Sequence, residues 1–320
     1  MKMVFNRVLY AILLLCGIVI LNFSLFFLSP GDPTNLYFGP KVKRQNLETL
    51  RHQMGVDQPW SKQFQEWGRH ALKGDLGYSW AKHRPVRDIL MEAIPATLQL
   101  TMLALLINLT AGCILGILTG VYSRKWFGKI IDYLSLSAYS VPIFLFAILF
   151  IYFFSLKLRL LPASGMSSLI AGDFGFWENL WDRIRHLILP VSILGLMGAA
   201  ATSRFVQGHM KSVLRQDYIR LAFAKGLPKS RVYVSHAFKN ALIPVVTLLG
   251  IYFPFLLGSA LVVEVIFAWP GMGRVTYEAI FSKDYPVIMA VNLIAGLLVI
   301  TGNLISDLLY RFIDPRIRVK

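Results

Sequence analysis

The side chains of this 320-residue chain that could do chemistry are scarce where chemistry would need them. There is no Gly-x-x-x-x-Gly-Lys-Ser/Thr loop to cradle phosphates and no His-Glu-x-x-His to hold zinc. There is also no Cys-x-x-Cys pair and no Gly-x-Ser-x-Gly elbow to expose a nucleophile. The two cysteines, Cys16 and Cys113, lie in apolar stretches, where a thiol serves as a small hydrophobe. Neither a disulfide nor a metal site is expected from them. Ionisable groups are almost absent from the centres of the apolar runs, which argues against a proton relay. An embedded enzyme is therefore the weakest reading. If the chain serves active transport, its energy source is another polypeptide.

Two constellations remain, and both suit mechanical work. The first is Asp217–Gly226. Asp217 can cap a short helix over Tyr218–Lys225, Gly226 fits the position just past its end, and Pro228 forbids continuation. Tyr218, Leu221, Ala222 and Lys225 share one face at i, i+3, i+4 and i+7. So short a helix cannot persist alone in water, where about 12–15 residues are already marginal. Something must pack on it. That is either the chain's own bundle or a soluble partner approaching closely over Ala222, Ala224 and Gly226, and spacing alone leaves both open. Ser230 is expected to cap a second amphipathic stretch through Phe238.

The second constellation is Pro254, Gly258, Glu264 and Arg274. Pro244, Gly250, Pro254 and Gly258 interrupt one apolar run. Backbone groups freed at such breaks must be buried in protein or line a wet cavity, which makes this run a pathway candidate. A kinked helix with packing glycines explains the pattern as simply. Glu264 is expected to pair with Arg274 or with a neighbouring subunit, the alternative being contact with a solute. The loop Trp269–Arg274 reads as a tight turn that gates or docks.

The elements that must position these residues are transmembrane helices. Hydrophobic residues make up 56% of the chain and charged ones 16%, against roughly 25% in an ordinary soluble domain. Mean hydropathy is +0.57. No Asp, Glu, Lys or Arg falls in Val8–Leu28, Ala93–Ser123, Tyr133–Leu156, His186–Ser203, Asn240–Val263 or Tyr285–Ser306. About 20 helical residues cross the ~30 Å hydrocarbon core, so six spans are expected. The fourth run is marginal and must borrow a turn at one end. Its Gly195, Gly198, Ala199, Ala200 and Ala201 suit a helix interface. A β-barrel is excluded because the runs do not alternate apolar and polar. The first run exceeds a signal-peptide core of ~7–15 residues and reads as an uncleaved span.

Lysine and arginine placement orients the bundle with both termini in the cytoplasm. On that reading the cytoplasmic segments hold 17 of the 33 Lys and Arg but only 4 of the 17 Asp and Glu. Basic cytoplasmic loops account for +13 of the formal charge of +16, without nucleic acid as a partner. Residues 29–92 form an external loop with turns at Pro30-Gly31-Asp32-Pro33 and Gly74-Asp75-Leu76-Gly77. Leu47–Met54 and Ser61–Leu72 within it read as short amphipathic helices. Trp60, Phe64 and Trp67 are expected against the outer membrane face rather than on a solute.

The stretch from Asp217 to Pro244, DYIRLAFAKGLPKSRVYVSHAFKNALIP, closely resembles the cytoplasmic coupling loop of ABC-importer permeases of the dipeptide/oligopeptide/nickel family. The resemblance covers nearly the whole chain. It continues through SPGDP at Ser29–Pro33, GVDQP at Gly55–Pro59, GDLGYS at Gly74–Ser79 and IPATLQL at Ile94–Leu100. LPASG at Leu161–Gly165, VEVIFAWPGMGR at Val263–Arg274, DYP at Asp284–Pro286 and DPRIR at Asp314–Arg318 follow in order. The broader signature, Glu-Ala-Ala, three residues, then Gly, is met at Gly226, but its first positions hold Arg220, Leu221 and Ala222. Any role of the signature Glu is not transferred to Arg220.

The resemblance implies a type I ABC-importer permease architecture. Residues 1–28 would form the first transmembrane helix, and 93–320 a five-helix permease core with a coupling loop at 206–241. It further implies half of a translocation pathway in a prokaryotic inner membrane, paired with a homologous second permease. Two cytoplasmic ABC ATPases would hold ATP and Mg, with no cofactor on this chain, and an extracytoplasmic solute-binding protein would deliver a peptide, nickel or related small solute. Asp217, Tyr218, Leu221, Ala222, Ala224, Lys225 and Gly226 would be the ATPase-coupling helix. The competing class is a self-sufficient secondary transporter or channel.

Overall fold

The computed structural model describes residues 2–28, 57–168, 172, 174–241 and 257–313, most of them helical. In chain order the elements are α1 (Lys2–Leu28), α2 (Trp60–Leu72), β1 (Tyr78–Ser79), β2 (Arg84–Pro85) and α3 (Val86–Val121). Next come α4 (Trp126–Ser140), α5 (Ile143–Lys157), α6 (Phe176–Val213) and α7 (Asp217–Ala224). Lys229–Arg231, Val232–Phe238 and Lys239–Ala241 run end to end as α8, followed by α9 (Leu257–Ile266), α10 (Met272–Phe281) and α11 (Tyr285–Ile313). The expected helix at Leu47–Met54 and the breaks at Pro244, Gly250 and Pro254 lie outside the described residues.

Among the described residues, α3, α6 and Tyr285–Ile305 of α11 are long and apolar enough to cross a bilayer. α4 and α5 make a fourth crossing if they count as one. The third apolar run is not the single straight span expected from its length. α4 and α5 meet at 105°. The cause is Pro142, which has no N–H to give and holds Val141 in extended backbone at φ −85°, ψ 131°. The far end of α5 widens into π-helix over Ile151–Lys157, closed by Leu158 N–H donating to Phe153 O at 2.9 Å.

The fourth run borrows far more than a turn. α6 is 38 residues, about 57 Å, almost twice the hydrocarbon thickness. Its charged first turns are satisfied locally. Glu178 accepts from Gly175 N–H at 3.0 Å, and Asp182 accepts from Ser168 N–H at 2.7 Å and Oγ at 2.5 Å. Arg185 donates to Leu160 O at 2.8 Å.

The chain forms two compact units. One comprises Met1–Ala96 and Pro270–Ile300. Its core joins Val86, Ile89, Leu90 and Ala93 of α3 to Met272, Val275 and Ala279 of α10 and Val287, Ala290 and Val291 of α11. Trp60 and Phe64 of α2 meet buried Phe23 of α1 edge-on, with ring centroids 5.9 and 5.4 Å away. Those aromatics therefore seat α2 on α1. α1 and α11 are joined by Asn292 Nδ2 donating to Asn22 Oδ1 at 2.7 Å.

The other unit comprises Thr97–Trp269 and Thr301–Lys320. Here α3 and α6 meet along a seam with no room for side chains. A Cβ on Gly112, Gly116 or Gly120 would lie 2.5–2.7 Å from the Cβ of Thr202, Val206 or Met210. Gly195 and Gly198 answer from α6, against Ile107 and Asn108. Thr202 Oγ1 donates to Asn108 Oδ1 at 2.6 Å, both residues fully buried. Lipid tails are as apolar as leucine, so it is this close packing and polar pairing that hold helices together within a bilayer.

Candidate functional site

The loop that follows α6 is built from turn chemistry. α7 starts one residue earlier than expected. Gln216, extended at φ −73° and ψ 148°, is the N-cap, and no side chain caps the helix. Asp217 takes helical backbone in the first turn, where its charge still suits the helix dipole. Its ion pair with Arg220, at 3.6 Å, is too exposed to add much. The C-terminus is as read. Gly226 has φ +75°, a conformation that favours glycine. Gly226 N–H donates to Phe223 O at 2.9 Å and Leu227 N–H to Ala222 O at 3.4 Å, the double closure of a Schellman end. Pro228, fixed at φ −63° and ψ 142°, is the N-cap of α8, which leaves Ser230 inside the helix rather than capping it.

α7 has two faces. Ile219 and Ala222, 0% and 6% exposed, enter a core with Val206 and Met210 of α6 and Val232, Ala237 and Ala241 of α8. Leu109, Cys113, Ile117 and Val121 of α3 pack against that core. The opposite face carries Tyr218, Leu221 and Phe223 at 44%, 55% and 38% exposure, with Ala224, Lys225 and Gly226 also exposed. Val234 of α8 is 56% exposed, and the rings of Phe223 and Tyr233 lie 6.0 Å apart. The face expected from spacing is thus divided: Ala222 turns inward, while Tyr218, Leu221 and Lys225 turn outward. Ile219, which the sequence reading passed over, is the buried anchor. Its i, i+3 spacing to Ala222 was the available signal.

Packing on the chain's own bundle accounts for one side of the helix only. α7 rests on its own bundle and still presents an apolar face among exposed Arg220, Lys225, Lys229 and Arg231. That surface has no nucleophile or acid–base pair, and no metal-binding group of His, Cys, Asp and Glu exists among the described residues.

The second constellation is partly described. Pro254 lies outside the described residues. Gly258 is exposed, and among the described residues an added Cβ there would meet nothing within 4 Å. Glu264 is fully buried and accepts a hydrogen bond from Thr97 Oγ1 at 2.6 Å. The turn after α9 is tight. Trp269 N–H donates to Glu264 O at 2.8 Å, Ala268 sits at φ +48°, and Trp269 is fully buried. Gly165 N–H donates to Phe267 O at 2.7 Å, which joins the segments Leu161–Gly165 and Val263–Trp269.

Arg274, in α10, donates from Nε to Glu278 Oε1 at 2.9 Å, and Lys82 Nζ reaches Oε2 at 2.8 Å. Partial burial alone would raise the Glu278 pKa. The two cations outweigh it and hold the carboxyl below the ordinary glutamate value.

Comparison with known proteins agrees along the whole chain. Residues 112–319 match the family described as binding-protein-dependent transport system inner membrane component, and residues 1–101 match that family's N-terminal component. The chain is 37% identical over 317 residues to the oligopeptide transport system permease protein AppB of Bacillus subtilis, covering 98% of each. It is 35% identical over 329 residues to the dipeptide transport system permease protein DppB of Alkalihalophilus pseudofirmus, again 98% of each. The glutathione transport system permease protein GsiC of Escherichia coli is 38% identical over 317 residues, 99% of each. Among solved structures, an inward-facing MetNI methionine ABC transporter chain superposes with a TM-score of 0.56 at 15% identity, over 71% of this chain and 96% of that one, which supports a shared fold. With family matches over nearly its whole length and relatives at 35–38% identity, this multi-helix membrane chain belongs to the family of binding-protein-dependent transport system inner membrane components.

Proposed function

We propose that this chain is one of two homologous permease subunits of an ATP-driven importer for peptides or a related small solute. It spans the inner membrane of a prokaryote six times with both termini inside, and lines half of the pathway. α7 inserts its exposed face into a cleft of a cytoplasmic ATPase, and an extracytoplasmic binding protein delivers the solute. ATP and Mg belong to the ATPases, and no nucleotide binds here. Closure of the ATPase pair moves α7, and the spans move with it as rigid elements.

The observation that carries this reading is the division of α7 into a buried Ile219–Ala222 side and an exposed Tyr218–Leu221 side. A connecting helix that served only its own bundle has no need of the second. The relatives named for oligopeptide, dipeptide and glutathione transport favour peptide-like solutes. The test is co-purification of the cognate ATPase, with uptake measured in proteoliposomes. Uptake that requires the ATPase and ATP supports the importer. Gradient-driven flux through this chain alone would establish the self-sufficient transporter or channel in its place.

A further inference from the structure

Two motifs lie apart in sequence from the proposed docking helix: Gly74–Ser79 and Asp284–Pro286. The structure brings them together. Asp284 is 1% exposed. Its Oδ2 accepts from Ser79 Oγ at 2.5 Å and from Ala81 N–H at 3.1 Å, and its Oδ1 accepts from Trp80 N–H at 3.2 Å. Ser79 Oγ in turn accepts from Lys82 N–H at 2.9 Å. The Trp80 ring meets Tyr285 edge-on at 5.8 Å. Pro286 Cβ lies 3.7 Å from the place a Gly77 Cβ would take. One buried carboxylate thus shapes a whole turn, and the neighbours of both motifs pack around it.

The position of this contact matters more than its strength. β1 and β2 form an antiparallel hairpin that pairs Ser79 with Arg84, and Pro85 is followed directly by Val86, the first residue of α3. Asp284 directly precedes Tyr285, the first residue of α11. The contact pins the starts of two long helices to each other. α3 then runs 36 residues, about 54 Å. Its far half supplies Leu109, Cys113, Ile117 and Val121, which pack against the core that Ile219 and Ala222 of α7 share with α6 and α8. One helix therefore bears the hairpin contact near its start and, near its end, packs on the core that holds α7. Between them lies Pro95, which lacks an N–H and removes one rung of the helix.

We infer that Asp284 is a positioning residue for transport: it fixes the start of α3 to the start of α11, so that displacement of α7 tilts α3 about a held end instead of sliding it bodily. The inference rests on the importer reading. A helix free at both ends would follow a push as a rigid rod. Held at one end and interrupted at Pro95, it turns the push into an angular change along its length.

The test uses the complete transporter in proteoliposomes. Uptake of a radiolabelled di- and tripeptide mixture and ATP hydrolysis are measured together, with Cys16→Ser and Cys113→Ser as background. Asp284→Asn and, separately, Ser79→Ala should assemble with the ATPases and keep basal hydrolysis, while ATP consumed per peptide rises about tenfold. A residue serving only stability would change the amount of complex and leave that ratio alone. In the double variant Ser79→Cys/Asp284→Cys the ratio should be poor when reduced and restored when a short thiol cross-linker closes the pair. Wild-type ratios in both single variants would overturn the inference. Loss of uptake on cross-linking would overturn it too, because the contact would then have to open. If the background protein itself shows no ATP-dependent uptake, the importer reading falls, and this inference with it.

Discussion

Thr97 Oγ1 donates a 2.6 Å hydrogen bond to Glu264 Oε1 across 167 positions of sequence, with both residues buried. The bond ties α3 to the last turns of α9, just ahead of the buried turn at Phe267–Trp269. A carboxyl group out of water needs such donors, because an unsatisfied one costs more than the bond itself is worth. Thr97→Val keeps the shape and removes the hydroxyl. It should lower the stability of the detergent-solubilised protein by about 1–3 kcal/mol, read as a lower midpoint of thermal unfolding. Thr97→Ser should retain most of it. Equal losses in the two variants would mean that the methyl group, not the hydroxyl, matters.

The glycines of the α3–α6 seam should differ sharply from glycines elsewhere in the same helices. A Cβ at Gly116 would lie 2.5 Å from Val206 Cβ and 2.8 Å from Ser203 O, so Gly116→Ala must push the helices apart. Overpacking of this kind typically costs about 1–3 kcal/mol. Gly208→Ala, where nothing lies within 4 Å, should be neutral or slightly stabilising through helix propensity. Thermal unfolding of the two variants side by side decides it, and the same sign for both would refute the seam.

The two faces of α7 should separate in mutagenesis. Ile219→Ala empties a fully buried site and should cost about 2–5 kcal/mol locally, seen as faster amide exchange across α7 and α8. Leu221→Asp alters a side chain that is 55% exposed and should leave that exchange unchanged while abolishing co-purification of the ATPase. Retained co-purification in Leu221→Asp would count against the docking role.

Acid should loosen the hairpin on a predictable side. The Glu278 carboxyl is held below its ordinary pKa, so on acidification the unfolded form takes up the proton first. The contribution of its pairs with Lys82 and Arg274 is complete above about pH 4.5 and fades as pH falls through the lower native value. Amide protection of Tyr78–Pro85 should be flat from pH 7 to about 5 and drop below that. In Glu278→Gln the part of the drop owed to these pairs should vanish. Both ion pairs are part-exposed, so salt should shrink the effect.

Much of the design was legible in the sequence because the rules involved are local. Charge-free runs announce helices that can enter a bilayer, since burying a charge there is costly wherever it falls. Gly226 followed by Pro228 announced the end of α7, because only the backbone of one turn is involved. The family motifs were readable for the same reason, as strings at fixed spacing. The 105° bend was also local, since Pro142 lacks an N–H to continue the preceding helix and holds Val141 extended, but the even hydropathy on either side concealed it.

What only the tertiary structure decided is which distant pieces meet. No periodicity pairs Ser79 with Asp284, Gly165 with Phe267, or Gly116 with Val206. Each contact closes a long loop of chain, and its partner is chosen by packing that neither segment encodes alone. The inward turn of Ala222 has the same origin. Spacing placed it on a stripe with Leu221, but the side that faces the bundle was set by the core waiting at Val206 and Met210. The sequence by itself determined that this chain would be a set of membrane helices with a short, glycine-terminated helix in the segment after the fourth apolar run. The tertiary structure decided which face of that helix is seated and which is left exposed, because burial is a property of neighbours and not of position along the chain.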